Sequence, residues 1–315
     1  MLVSTVICAH SLDSYQDLVE CVDSLLGQTH QELEIIAVID GNRALHERIT
    51  AHCGKYPTVR TVLLEQNAGV SAARNAGIKE AQGEITAFID DDAVADRRWV
   101  ENLLSTYRDH DAVAVGGRIL PLWTEGEPRY LPEELYWLVG VTHEGFAGDE
   151  VVEVRNTFGP NMSFRRDVFE QVGFFNEDFG FSGAGASRIQ AEEPEFALRV
   201  RQVLGKGVLH NPRAVVYHKI ARSKLGVGNL LRRSFYQGYS KAMLSRMSIS
   251  PDAMAEEATY LRAVLRQHIP RRLRRCYRLT EIERLLFLAA CVACVGFGFV
   301  YARMLKVGAA RLETA

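Results

Sequence analysis

Three consecutive aspartates, Asp90, Asp91 and Asp92, close the apolar run ITAFI. Carboxylates this crowded repel one another and raise each other's pKa, and a divalent cation relieves the repulsion by bridging them to the phosphate oxygens of a bound nucleotide. Metal-diphosphate binding is therefore one chemistry open to the triplet; a solvated acidic turn is the other. A second acidic group, Glu192, Glu193 and Glu195 around Pro194 with Arg199 behind, opens a helical pattern. It reads as an acidic first turn stabilised by the helix dipole, a placement compatible with a carboxylate acting as general base. Upstream, the stretch NAGVSAARNAGIKEAQGEITAFIDDDA brings Asn67, Gly69 and Arg74 ahead of the aspartates. Small residues there let backbone approach a ligand, and the arginine can neutralise phosphate. His218, at the end of VVYH, offers an imidazole to a metal or to the surrounding structure.

These residues need elements to position them, and the first 118 residues supply a βα rhythm. LVSTVICA, LEIIAVI, VRTVLL and ITAFI are predicted strands, each followed by a helical pattern such as SYQDLVECVDSLLGQ or DRRWVENLLSTYRDH. Open sheets of this kind bind ligands beyond the carboxyl ends of their strands, where Asp40 and the aspartate triplet both fall. Asp40 suits either a nucleotide contact or a helix N-terminal cap. No G-x-G-x-x-G follows the first strand, which argues against a dinucleotide-binding protein. From about Pro121 to Gly159 the chain is rich in Pro, Gly and aromatics and is expected to be irregular and substrate-facing. SFRRDVFEQVG and EEPEFALRVRQVLG read as helices and GVLHNPRAVVYH as a short strand pair. VGNLLRRSFYQGYSKAMLSRM, with Arg232, Arg233, Lys241 and Arg246, reads as a helix for a membrane surface or for ordinary packing. Three segments are expected: a nucleotide-binding half over residues 1–118, a catalytic and acceptor-binding half over 119–225, and a membrane-associated helical region over 226–315.

Composition bounds the remaining possibilities. With 315 residues, 47% of them hydrophobic, the chain has material for a substantial core. Its net charge of -2 provides no global positive field, so nucleic acid is not an expected partner. Cys8, Cys21, Cys53, Cys276, Cys291 and Cys294 form no disulfide framework and point to a reducing compartment; the C-x-x-C at Cys291 and Cys294 lies in an apolar run as two small hydrophobes. The opening MLVSTVICAH lacks a basic leader and reads as a first strand. Leu285 to Ala302 is uncharged, and as a helix it is roughly 27 Å long, marginally enough to span a bilayer. A cluster of Arg271, Arg272, Arg274, Arg275 and Arg278 precedes it, suited to anionic lipid, which sets the catalytic bulk on the cytoplasmic face of the cell membrane. A buried core helix is the alternative.

The stretch from Asn67 to Ala93 resembles glycosyltransferase family 2, in which N-x-G-x-S-x-A-R-N-x-G precedes a D-x-D-type metal motif. The resemblance implies an α/β fold of GT-A type, a Rossmann-like mixed sheet binding a nucleotide-sugar. It implies that Asp90 and Asp92 hold Mn2+ or Mg2+, with His218 approaching the ion. The turn Cys8 to Ser11, including Ala9, together with Asp40, Asn67, Gly69, Arg74, Asp90 and Asp91, would contact the donor. GPNMSFRRDVFEQVGFFNEDFG resembles the family's acceptor side, with Asn161 and Arg165 as sugar or phosphate contacts. Glu192-Glu193-Pro194-Glu195 resembles the family's E-D-x-E/D element, whose second carboxylate is the base; Glu193 takes that position, and Glu192 is also within reach. The tract PRYLPEELYWLVGVTHEGFAGDEVVEVRNTFGPNMSFRRDVF looks like the archaeal glucosyl-dolichyl-phosphate glucuronosyltransferases that build N-linked glycans. This implies a UDP-glucuronate donor and a lipid-phosphate-linked sugar acceptor, with Arg118, Arg155 or Arg165 meeting the donor carboxylate. A family member with another donor, or with a capsule or lipid-glycan acceptor, and a membrane-tethered nucleotide-sugar binding protein are the competing expectations.

Overall fold

The computed structural model describes residues 1–180, 190–247 and 255–305; the last ten residues of the expected membrane region lie outside this range. The four predicted strands are present as β1 (Val3–Ala9), β2 (Leu33–Asp40), β3 (Val59–Leu64) and β4 (Ile85–Asp90). They pair in parallel in the order β3-β2-β1-β4. Helices α1 (Tyr15–Leu26), α2 (Arg43–Cys53) and α3 (Val70–Glu80) connect them. Both sheet faces are covered, so the strands are apolar nearly throughout and sort by alternation. Ile7, Ile35, Ile39 and Ile85 join one core with Leu18, Leu25, Leu45 and Ile49. Val6, Ile36, Val38 and Phe88 join a second with Ala73, Ile78 and Phe196.

Beyond β4 the sheet becomes mixed. A short β5 (Ala93–Ala95) and α4 (Trp99–Asp109) lead into β6 (Ala114–Trp123), then β7 (Val152–Val154) and β8 (Met162–Arg165). Two helices follow, α5 (Arg166–Val172) and α6 (Glu192–Leu204), and the last strand is β9 (Val208–Ile220). The sheet continues β4-β8-β6-β9-β5, with β7 on the side of β9. β9 replaces the expected strand pair. Asn211-Pro212 reads locally as a turn, yet the chain continues: Gly117 pairs with Asn211 and Arg118 with Val215, so the extra residues form a bulge. A Cβ at Gly117 would lie 1.9 Å from the Ala214 carbonyl oxygen, so the bulge needs glycine opposite it. The stretch expected to be irregular carries the end of β6, a 3-10 segment Glu133–Val139 and β7.

The C-terminal helices are α7 (Val227–Met247), α8 (Ala255–Ala263), α9 (Ile269–Leu273) and α10 (Leu279–Met304). They share a third core with the middle of the chain: Phe287, Leu288 and Cys291 of α10 pack with Ile119, Leu131, Leu135 and Ile220. α7 and α10 cross where a Cβ at Gly238 would lie 1.9 Å from the Val295 oxygen and one at Gly298 would lie 2.0 Å from the Phe235 oxygen. The glycines let the two backbones touch. The arginine cluster expected to suit anionic lipid is divided by partner. Arg272 is 3% exposed and pairs with fully buried Glu134 and with Glu133 and Glu281, while Arg271 pairs with Glu144. Arg274, Arg275 and Arg278 remain exposed.

Candidate active site

The carboxyl ends of β1, β2 and β4 form one rim, because the parallel register sets Cys8 beside Asp90 and Ala9 beside Ile39. Asp40, at the end of β2, accepts from the backbone N–H groups of Ala68 (2.8 Å) and Gly69 (2.9 Å). It clamps the loop that enters α3, the capping role open beside the nucleotide contact. Two glycines permit the approach: Gly69 has φ of +95°, and a Cβ at Gly41 would lie 2.3 Å from the Asn67 nitrogen. Ser71 donates to the Phe179 carbonyl, and Asn75 exchanges hydrogen bonds with the Phe175 backbone, so α3 is locked to the segment preceding α6.

That lock aims Arg74 at the first turn of α6. Its Nη2 lies 3.2 Å from Glu193 Oε1 and its Nη1 3.8 Å from Glu192 Oε1. Gly159 leaves room for the pair, since a Cβ there would lie 2.4 Å from Arg74 Nη2 and 2.7 Å from Glu193 Oε1. Burial alone would lower the Arg74 pKa, but Glu193, Glu192 and Asp90 raise it, so the guanidinium is held charged. Burial and then Glu193 push the Glu192 carboxyl well up, and its Oε2 has no hydrogen-bond partner among the described residues. Glu193 is the more accessible of the two, its side chain 20% exposed.

The aspartates divide by partner. Asp90 is raised by burial, with Arg74 opposing. Asp91 accepts from Ser14 Oγ at 2.6 Å, and burial followed by the charge of Asp92 pushes it up to about 7. Asp92 lies 3.0 Å from His218 Nε2 through Oδ1 and pairs with Lys224 through Oδ2. Burial opposes ionisation of Asp92, but the His218 hydrogen bond and the charges of His218 and Lys224 hold it well below the usual carboxylate range. The 126-residue separation closes because β5 pairs with β9, which sets Ala93 opposite His218. Asp90, Asp92 and His218 each offer one ligand atom, all within 4.8 Å of one another. Two carboxylates suit Mn2+ or Mg2+, an added imidazole favours Mn2+ of the two, and positions remain for phosphate oxygens. Lys224 occupies Asp92 Oδ2, so an ion held here would displace that ammonium. Glu134, Glu144 and His268 also cluster, but Arg271 and Arg272 occupy those carboxylates.

Two expected contacts belong elsewhere. Asn161 is fully buried, its amide donating to the Arg118 and Ala214 carbonyls and accepting from Trp99 Nε1, so it ties β6, β9 and α4 together and does not face a ligand. Arg165 lies opposite Ile85, at the amino end of β4, where it donates to the Ala112 carbonyl and stacks over Tyr107. Arg118 pairs with Asp149 and Arg155 with Glu257, so neither is committed to a donor carboxylate. Lys224 and Gly159 were not selected from sequence; each sits in a stretch without periodicity, and Lys224 is marked only by following His218 by six residues.

The motif string, the carboxylate rim and the mixed sheet have counterparts in known proteins. Residues 4–173 match the family model described as Glycosyl transferase family 2. The chain belongs to glycosyltransferase family 2. This family 2 glycosyltransferase is 37% identical over 305 residues to the glucosyl-dolichyl phosphate glucuronosyltransferase of Haloferax volcanii, covering 96% of each chain. It is 34% identical over 117 residues to the glycosyltransferase GlyG of Streptococcus pneumoniae, 37% of this chain and 38% of GlyG. Among solved structures, the Pyrobaculum calidifontis mannosyltransferase PcManGT in complex with GDP-Man and Mn2+ aligns with a TM-score of 0.62 at 14% identity, covering 94% of this chain and 87% of that one. S. aureus TarS 1-349 in complex with UDP-GlcNAc aligns with a TM-score of 0.54 at 14% identity, covering 96% and 88%. The family 2 glycosyltransferase therefore has the GT-A fold.

Proposed function

We propose that this glycosyltransferase moves glucuronic acid from UDP-glucuronate, with inversion and metal dependence, onto a dolichyl-phosphate-linked sugar in N-glycan assembly. It does so at the cytoplasmic face of the cell membrane. The observation that carries the donor and acceptor is the 37% identity, sustained over 96% of both chains, to the Haloferax enzyme that bears that activity in its name. The site supports the chemistry. Glu193, steadied by Arg74, accepts the proton of the acceptor hydroxyl as that oxygen attacks the anomeric carbon from the face opposite the nucleotide. Glu192, its ionisation suppressed by burial and by Glu193, leaves Arg74 to orient the base. A divalent ion held by Asp90, Asp92 and His218 would neutralise the charge that develops on the leaving diphosphate. The apolar α10, beside the substrate-binding half, suits a substrate carried on lipid.

The test is mass analysis of the product formed from glucose-phosphate-linked lipid with a mixture of UDP-sugars. A product heavier by one hexuronic acid is expected. Transfer from UDP-glucose with none from UDP-glucuronate overturns the donor and favours the reading with another donor.

A further inference from the structure

Arg233 of α7 is half buried, and among the described residues its guanidinium has no hydrogen bond or ion pair. Its setting differs from that of the other enclosed arginines: Arg74 meets Glu193, Arg155 meets Glu257 and Arg272 meets Glu134. A partly enclosed cation with no bonded partner carries a desolvation cost, which an anion arriving from outside would offset. Neighbouring Leu230 and Ser234 are buried in the protein, which fixes the rotation of α7 and the side on which Arg233 emerges.

Contacts on either side define where that is. Just before α7, Lys224 pairs with Asp92 of the candidate metal site. One turn beyond Arg233, Gln237 Nε2 lies 3.5 Å from Gln190 Oε1, and Ser240 Oγ accepts from the Gln190 backbone at 2.8 Å. Positions 233 and 237 share a helix face, and Gln190 precedes Glu192 by two residues. This face of α7 therefore runs between the aspartate rim and the glutamates of α6. Burial does most to lower the Arg233 pKa; Asp92 opposes it and Arg232 adds to it.

We propose that Arg233, joined by Lys224, binds the diphosphate of the nucleotide-sugar donor beside Asp92, so that a C-terminal helix completes the nucleotide site. The proposal rests on the nucleotide-sugar reading above and adds a residue to it. A phosphate oxygen is the anion that a metal at Asp90 and Asp92 would bring to this place, and a planar guanidinium suits it.

Full-length protein in detergent is titrated by calorimetry with UDP and, separately, with uridine, in the presence of Mn2+. Arg233→Ala is expected to weaken UDP about ten- to a hundredfold, with uridine unaffected and Arg233→Lys intermediate. The melting temperature of Arg233→Ala is expected to be unchanged or higher, because an unpaired cation has been removed. Equal UDP affinity in the variant, an equal weakening of uridine, or a fall in melting temperature overturns the assignment. Failure of the wild-type protein to bind UDP instead overturns the nucleotide-sugar reading on which it depends.

Discussion

Glu193 and Asn161 are both polar residues singled out by the same family pattern, and their surroundings assign them opposite work. Glu193 is partly open and has one strong partner, Arg74. Glu193→Gln preserves the shape of the site and removes the base, so transfer is expected to fall by orders of magnitude while Mn2+-dependent UDP binding persists, read by turnover and calorimetry on one preparation. Asn161 has its donors and acceptor used by Trp99, Arg118 and Ala214 inside the protein. Asn161→Ala strands buried groups and is expected to cost about 3 kcal/mol in chemical denaturation, with the affinity of folded protein for UDP unchanged. Residue type and spacing made the aspartates and the α6 glutamates legible, since both stand directly at element ends. They left Asn161 and Arg165 ambiguous, because neither spacing nor family pattern says which end of a strand meets the ligand.

At the scale of elements, β1 to β4 were legible because their apolar runs and helical partners repeat, whereas the β9 bulge is hidden behind Asn211-Pro212, a dipeptide that reads as a turn. The helical pairings were hidden for a different reason: Glu134 and Arg272 lie 138 residues apart, and nothing local marks them as partners. One such contact sets an acid limit. Glu257 on α8 bonds Arg155 and Lys241; burial alone would raise its pKa, but those two cations lower it from 4.5 to about 2. The stabilisation is fully present above pH 4.5 and is lost as pH falls toward 2, and it amounts to about 3 kcal/mol at neutrality. Glu257→Gln is expected to be less stable than wild type at pH 7 by this order, with the difference shrinking steadily below pH 4.5 in urea titrations. The α7–α10 crossing gives a sharper comparison. Gly298→Val forces a side chain against the Phe235 carbonyl and is expected to cost about 2 kcal/mol or more, whereas Gly296→Val, with open space at its Cβ, is expected to be near neutral by thermal melting.

For the whole molecule, α10 presents two different faces. Phe287, Leu288 and Cys291 complete a core shared with the catalytic half, so deletion of the helix would uncover that core. Leu286, Val300 and Met304 are 66%, 47% and 76% exposed. Replacing those three by glutamine is expected to move the protein from the membrane pellet to the supernatant while its melting temperature holds; retention in the pellet after a high-salt wash contradicts anchoring by this face. The sequence marked α10 as apolar but could not divide its faces, because its apolar residues run all round the helix and only the partners distinguish them.

In the proposed reading, Asp90, Asp92 and His218 join a divalent ion to the diphosphate of a sugar donor. Calorimetry of UDP binding, with Mn2+ and with EDTA, on wild type and on the Asp90→Asn, Asp92→Asn double variant, tests it most directly. Binding is expected by wild type only when Mn2+ is present, and none by the variant. Equal affinity in EDTA, or in the variant, would contradict it.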